Sequence, residues 1–403
     1  MKNKSFLIIS GLLMAFTSLS TDVYLPAMPT MEKELGGQVE LTVTSFLVGF
    51  ALAQLVWGPI SDWIGRKIPL YVGLVVFILG SFWGALSTDM TQVIIWRVFQ
   101  AFGACVGPML SRAMSRDLFD SREAAQVLST LMIIAAVAPI LGPFIGGFIV
   151  SFTSWHVIFY FMALAGLLML YGVYRLPETL PKEKRGHMSL LRSFSNYGQL
   201  LTNRSFMLYT LCVTFYYVGA YAFITGSSTV YITYFHVPEQ DYGFLFGVNV
   251  LGIVGLNLFN RRLVERFSLR FLLRCASVIA LLASLALWGL NLGNGSSIWT
   301  LAIPVFFVFS MNGIIAACSN AAALAFVSDE MTGSASALLG SLQYGSGILS
   351  SALLASFAAT NGHPGAMVTI ILVSVALAFL TTLVAKNVPQ TPKSVCFGQA
   401  KSI

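Results

Sequence analysis

The residue best placed to do chemistry is Asp22, in the segment Leu19-Ser20-Thr21-Asp22-Val23-Tyr24-Leu25-Pro26. It falls inside a long apolar run, and by the span bounds given below it is the only acidic residue inside a span. An ionised carboxylate at bilayer depth costs roughly 2.5–3.5 kcal/mol even on the mildest scale. A carboxylate kept there is a functional candidate, and carrying a proton is the job that demands least else. Arg97, in Ile95-Trp96-Arg97-Val98-Phe99-Gln100, is the second candidate. An arginine does not shed its proton, so a deep one needs a carboxylate, carbonyls or water around it. The plain alternative is snorkelling to the nearby membrane surface.

The elements that position these residues follow from composition. The chain has 403 residues, 57% apolar and only 10% charged, which excludes a soluble domain of this size. About twelve apolar runs come near the ~20 residues needed to cross a bilayer as helix. They cover 5–27, 41–60, 68–88, 91–113, 125–150 and 156–176, then 205–231, 243–263, 270–291, 297–326, 334–358 and 364–385. The predicted class is therefore an all-α membrane protein. The polar interval 177–204 separates 1–176, with six spans, from 205–386, with six more, and 387–403 forms a tail. Two equal halves suit a repeated transporter fold with a midplane site between them.

The net charge of +7 invites a nucleic-acid reading, but the bases sit in alternate loops. Arg66, Lys67, Arg116, Arg122, Lys182, Lys184, Arg185, Arg261, Arg262 and Arg266 mark one side, and only Lys33 the other. That is the positive-inside pattern, with both termini cytoplasmic and no nucleic-acid partner. Asp329-Glu330 breaks the pattern. The start, Met1-Lys2-Asn3-Lys4, with Ser18-Leu19-Ser20 further on, has the outline of a secretory signal. Cleavage there would leave an odd span number and spoil the charge alternation, so the run is read as a span. Cys105, Cys212, Cys275, Cys318 and Cys396 show neither metal spacing nor a disulfide framework.

Two local patterns stand out. Gly58-Pro59-Ile60-Ser61-Asp62-Trp63-Ile64-Gly65-Arg66-Lys67 makes a turn in which an acid faces two bases. It can latch one conformation through paired charges, or be a plain positive-inside turn. Asn257 to Arg266 repeats it in degenerate form in the second half. In span five, Pro139, Gly142, Pro143, Gly146 and Gly147 bend a helix and admit a close neighbour. Ordinary small-residue packing would account for them too. Side chains suited to a binding pocket, besides Asp22, are Tyr24, Gln54, Tyr216, Tyr217, Tyr221, Asn249, Asn312 and Gln343; helix packing explains each of these eight about as well. No phosphate-binding loop, His-Glu-x-x-His or Gly-x-Ser-x-Gly occurs. His156, His187, His236 and His363 fall at span ends, so no cofactor, metal site or enzyme is expected.

The loop at 58–67 resembles the loop signature of the major facilitator superfamily, with Trp63 where that family has a base. Arg97 resembles its span-four arginine, with Ala101 replacing a glycine, and Gly142-Pro143-x-x-Gly146-Gly147 its exporter signature. Ser20 to Pro29, Gly49-Phe50-Ala51, Arg116-Asp117-Leu118, Ser154-Trp155-His156 and Gln343-Tyr344-Gly345 are similar to the bicyclomycin-resistance and chloramphenicol-efflux branch of drug/proton antiporters. The resemblance implies a facilitator fold of two six-helix bundles in a bacterial inner membrane, working as a monomer. It implies export of small drugs such as amphenicols, bicyclomycin-like compounds or sulfonamides in exchange for protons carried by Asp22 with Arg97. A same-fold transporter of a native metabolite is the alternative, and a non-transporting receptor or membrane enzyme the remoter one.

Overall fold

The structure is a computed structural model that describes residues 2–119, 121–185, 190–291, 297–328, 331–356 and 363–385. Asp329-Glu330, His187, Cys396 and the tail at 387–403 lie outside the described residues.

Of sixteen described α-helices, fifteen build twelve segments long and apolar enough to cross a membrane. Span one is α1 (Lys2–Asp22), a 3-10 turn at Leu25–Ala27, and α2 (Met28–Leu35). The next are α3 (Glu40–Ile64) and α4 (Lys67–Ala85), then span four, split into α5 (Met90–Ala104) and α6 (Val106–Leu118). Spans five and six are α7 (Ser121–Phe152) and α8 (Trp155–Tyr174), and α9 (Leu190–Thr202) lies in the central interval. Span seven is α10 (Arg204–Ser228) with a π-helical turn, Thr229–Tyr234. After it come α11 (Glu239–Arg266) and α12 (Leu269–Leu290), then span ten as α13 (Ile298–Ser310) and α14 (Asn312–Leu324). The last two are α15 (Thr332–Ser356) and α16 (Gly365–Val384).

Helix ends form where the sequence supplies caps. Asp89 accepts from Gln92 N at 3.0 Å to open α5, and Asn203 accepts from Phe206 N at 3.1 Å to open α10. Gly65, with φ +102°, ends α3 in a backbone region that side chains avoid. Large apolar side chains such as Phe148, Leu164, Leu282 and Leu380 remain exposed, which suits a lipid-facing surface.

Span one departs from expectation. Pro26 interrupts it only as a 3-10 turn, and helix resumes to Leu35, drawing Glu32, Lys33 and Glu34 into the span. Span two begins at Glu40, one residue earlier than read from hydropathy, and Glu40 is buried at 7% exposure. Asp22 is therefore not the only carboxylate buried within the spans.

Helices α1 and α3 to α8 form one set, and α10 to α16 the other. Contact between the two sets runs chiefly through α3 on α15 and α7 on α11. The end carrying Arg66, Arg112 and Arg116 is called the basic end below, and the end carrying Glu40 the far end.

Candidate functional site

Asp22 closes α1 and is 6% exposed. Among the described residues it has no hydrogen-bond or ion-pair partner. Its neighbour is a glycine: a Cβ added at Gly142 of α7 would lie 2.8 Å from Asp22 Cβ. One turn on, Gly146 faces the Val23 carbonyl, and Gly147 faces the Glu239 carbonyl that opens α11. The small residues of span five thus seat the end of α1 on one side and α11 on the other. Asp22 is within electrostatic reach of Tyr221, Tyr242 and Tyr344, all from the second set of helices.

Arg97 is 0% exposed, so it does not snorkel. Its Nη1 donates to the Ser20 carbonyl at 3.2 Å and to Gln100 Oε1 at 2.7 Å. Its guanidinium is sandwiched between the rings of Tyr24 and Phe46, each 4.4 Å away. Cation–π attraction to two faces, unscreened by water, replaces the carboxylate that such a charge ordinarily needs. Gln100 relays the chain onward, its Nε2 donating to Ser81 Oγ at 2.7 Å. Arg97 therefore grips the backbone two residues before Asp22 rather than the carboxylate itself, and its Nε and Nη2 have no partner.

Tyr24 contributes more than a pocket wall. Its ring carries Arg97, and its hydroxyl lies 2.5 Å from Thr42 Oγ1. Because Thr42 donates to the Val39 carbonyl, the Tyr24 hydroxyl is the donor in that pair.

A cavity of about 300 Å³ opens at the basic end between the two sets. Gln54, Asp62, Arg112 and Arg116 line it from one side, with Tyr197 of α9 and Ser334 of α15 from the other. Of the residues expected to bind substrate, only Gln54 borders it. Tyr216 donates to the Val308 carbonyl at 2.6 Å, at the break between α13 and α14, which is a packing role. Gln343 donates to Asn320 at 2.7 Å and Asn249 to the Leu245 carbonyl at 2.8 Å. Tyr217 stands beside Asn312 and 6.0 Å, ring to ring, from Tyr221. Tyr344 ties the sets together, 4.2 Å from Phe50 and 6.5 Å from Tyr221. Sequence reasoning missed Phe46, Gln100, Tyr242 and Tyr344 as members of this cluster. Tyr344 carried a signal, standing next to the polar Gln343 in a span, and so did Gln100, a polar residue one helical turn after Arg97.

At the turn after α3 the roles differ from those read in the sequence. One base meets two acids: Arg66 pairs with Asp62 and, at 2.9 Å, with Asp117 at the end of α6. Lys67 turns away and donates from Nζ to the Tyr174 carbonyl at 3.1 Å. Glu178 closes the turn, accepting from Arg66 N at 3.0 Å and Lys67 N at 3.2 Å. A Cβ at Gly65 would meet that carboxylate at 2.6 Å, so close approach adds to the positive φ as a reason for glycine there. Gly58, by contrast, faces open space. Trp63 is 62% exposed, so the absent base leaves this ion-pair cluster intact. Burial alone would lower the Arg66 pKa, but Asp117 and Asp62 hold it above the usual value. Burial likewise raises that of Glu178, and the backbone donors of Leu180, Arg66 and Lys67 with Arg185 outweigh it, holding the carboxyl below the usual range.

The far end is sealed across the two sets. Thr30 donates to Glu239 at 3.1 Å, Gln38 to the Ala355 carbonyl at 3.0 Å, and Ser341 to the Ala51 carbonyl at 3.1 Å nearer the middle. All three described ion pairs lie within 62–185, and none crosses between the sets.

A family model described as Major Facilitator Superfamily matches residues 10–351. The chain is similar to an uncharacterized MFS-type transporter, YdgK, of Bacillus subtilis, 36% identical over 92% of this chain and 93% of that one. It is 33% identical to a bicyclomycin resistance protein homolog of Haemophilus influenzae, over 89% of this chain and 91% of the other. Among solved structures it resembles the xylose transporter XylE from E. coli, with a TM-score of 0.74 at 14% identity, covering 96% of this chain and 97% of that one. Matches of this extent agree with the twelve spans, and the chain belongs to the Major Facilitator Superfamily.

Proposed function

We propose that this membrane transporter is a proton-coupled exporter of small drugs, working by alternating access. The observation that carries the reading is the placement of Asp22. A buried carboxyl without an ion-pair partner stands where α7 supports the end of α1 and where three tyrosines approach from the second set. The basic end faces the cytoplasm, as the positive-inside rule favours, with both termini on that side of a bacterial inner membrane. In this orientation the cavity opens inward and the far end is shut. The bundles 1–176 and 205–386 rock about the Phe50–Tyr344–Tyr221 contact, with 177–204 as their tether.

Asp22 takes a proton from outside when the far end opens and releases it inward after the bundles rock back. Arg97 sets the position of the Asp22 backbone through the Ser20 carbonyl. Substrate enters past Gln54 and competes with the proton for this region. The bicyclomycin-resistance name of one relative supports small antibiotics as cargo, with amphenicols, bicyclomycin-like compounds and sulfonamides as the classes to try. The proposed working unit is the monomer.

The test is a susceptibility panel in a pump-deleted host expressing the wild type or Asp22→Asn. Wild type raises tolerance to at least one class, and Asp22→Asn reaches the membrane but confers none. Proton release on adding chloramphenicol to solubilised protein is then compared. Equal release from both proteins takes Asp22 out of the proton path.

A further inference from the structure

Among the described residues, Glu40 is the one buried carboxyl that the scheme above leaves idle. It opens α3 at the far end, is 7% exposed, and its Oε2 is buried with no hydrogen-bond partner. No described cation pairs with it. An acid in the first turn of a helix is often only a favourable charge–dipole contact. The Glu40 backbone N–H meets the carboxyl in that way, but Oε2 has no hydrogen-bond partner among the described residues. The groups around it argue the same way. Glu32 of α2 is a like charge within electrostatic reach. Tyr24, from the 3-10 turn region, lies within reach of both Glu40 and Arg97. Its hydroxyl donates to Thr42, two residues beyond Glu40. Glu34 is occupied by the Trp155 indole at 2.6 Å, and Gln38 by the Ala355 carbonyl. Two carboxyls within electrostatic reach, one of them with a buried, unpartnered oxygen, hold one negative charge more easily than two, and the difference is a proton.

We propose that Glu40 is a second proton-carrying residue, stationed at the far end on the same side of the molecule as Asp22, so that each transport cycle moves two protons. Asp22 and Tyr24 are two residues apart, and Tyr24 bridges toward Thr42 and Glu40. Opening the far end breaks the Gln38–Ala355 and Thr30–Glu239 contacts and exposes Glu40 to outside water; closing it seals the proton in. The idea rests on the exporter reading for its role in transport, but its chemical core is independent of any substrate.

The experiment is infrared pH-difference spectroscopy on protein reconstituted in phosphatidylethanolamine–phosphatidylglycerol vesicles, which reads the C=O stretch of buried carboxylic acids directly. Wild type should show two such bands; Glu40→Gln should lose one and Asp22→Asn the other. Glu32→Gln should keep both and change the titration of the Glu40 band. A Glu40→Gln spectrum identical to wild type would overturn the proposal while leaving Asp22 untouched. Loss of the Glu40 band with no change in Asp22→Asn would instead sink the Asp22 reading. Should Glu40→Gln fold poorly, Glu40→Asp must displace one band, and two unmoved bands count against the idea.

Discussion

Arg97 shows what a single residue decides. Its charge is held without a carboxylate, by two rings, one carbonyl and Gln100. Arg97→Ala leaves the Gln100 amide oxygen without its donor, which costs about 1–3 kcal/mol. It also frees the backbone before Asp22. The protein should still insert, melt at a lower temperature in detergent, and lose drug export. Arg97→Lys should be impaired as well, because an ammonium cannot lie flat between Tyr24 and Phe46 while donating to two acceptors. Full export by the alanine variant would mean that the sandwich is only structural. The residue types at 22 and 97 were legible as chemistry, because charge in an apolar run is conspicuous. Their partners were less so: Phe46 looks like any span residue until folding brings α3 to the end of α1, and Gln100 shows only its polarity and its spacing from Arg97. Glu40 escaped notice because a span bound set one residue too late leaves it outside the membrane.

Among elements, α7 makes the sharpest claim. Gly142→Ala pushes a methyl group against Asp22, an overpacking strain of about 1–3 kcal/mol, and should reduce coupled transport. Gly58→Ala, at an open position in the same signature set, should leave transport near wild type. Growth on the drug that the wild type exports compares the two; equal defects would discount the contact with Asp22. The turn after α3 yields a pH prediction. Glu178 is held below the ordinary carboxylate range, so its contribution is fully present above about pH 4.3 and fades as pH falls through its lower folded value. Glu178→Gln should flatten the acid side of the melting-temperature profile, with the neutral side little changed in slope. Span bounds were readable to within a few residues, since lipid-facing length is written in hydropathy. The resumption of span one as α2 was not, because Pro26 is compatible with the first turn of a new helix as well as with an ending. The split of span four has a sequence cause in Pro108, which lacks the N–H for the Ala104 carbonyl four residues back, and that of span ten falls just before Gly313.

For the molecule as a whole, proton number sets the reach of the pump. At a membrane potential of ~150 mV, one charge moved is worth roughly 3.5 kcal/mol, a few hundredfold in drug gradient. Two protons, through Asp22 and Glu40, raise that ceiling to about 10⁵-fold at the same potential. The wild type should therefore sustain a steeper gradient than Glu40→Gln, measured as steady-state drug accumulation in inverted vesicles. The twelve-span plan and its division were visible in the chain, but the state of its two ends was not. Which end is shut depends on contacts such as Thr30–Glu239 and Gln38–Ala355, whose partners are more than 200 residues apart.

The two ends also differ in what holds them. The far end is joined by glycines against carbonyls and by neutral or singly charged hydrogen bonds, whereas every described ion pair belongs to the basic end and to one half. Ionic strength should therefore act on one face of the membrane only. The Debye length falls from ~8 Å at physiological salt to ~3 Å at 1 M, enough to weaken pairs that include the half-exposed Asp62. High salt at the basic face loosens the arrangement that accompanies the open cavity, while the same salt at the opposite face meets no described ion pair to weaken. Spin labels at Gly58→Cys and Ala337→Cys, across the cavity mouth, would record that one-sided response as a shortened distance.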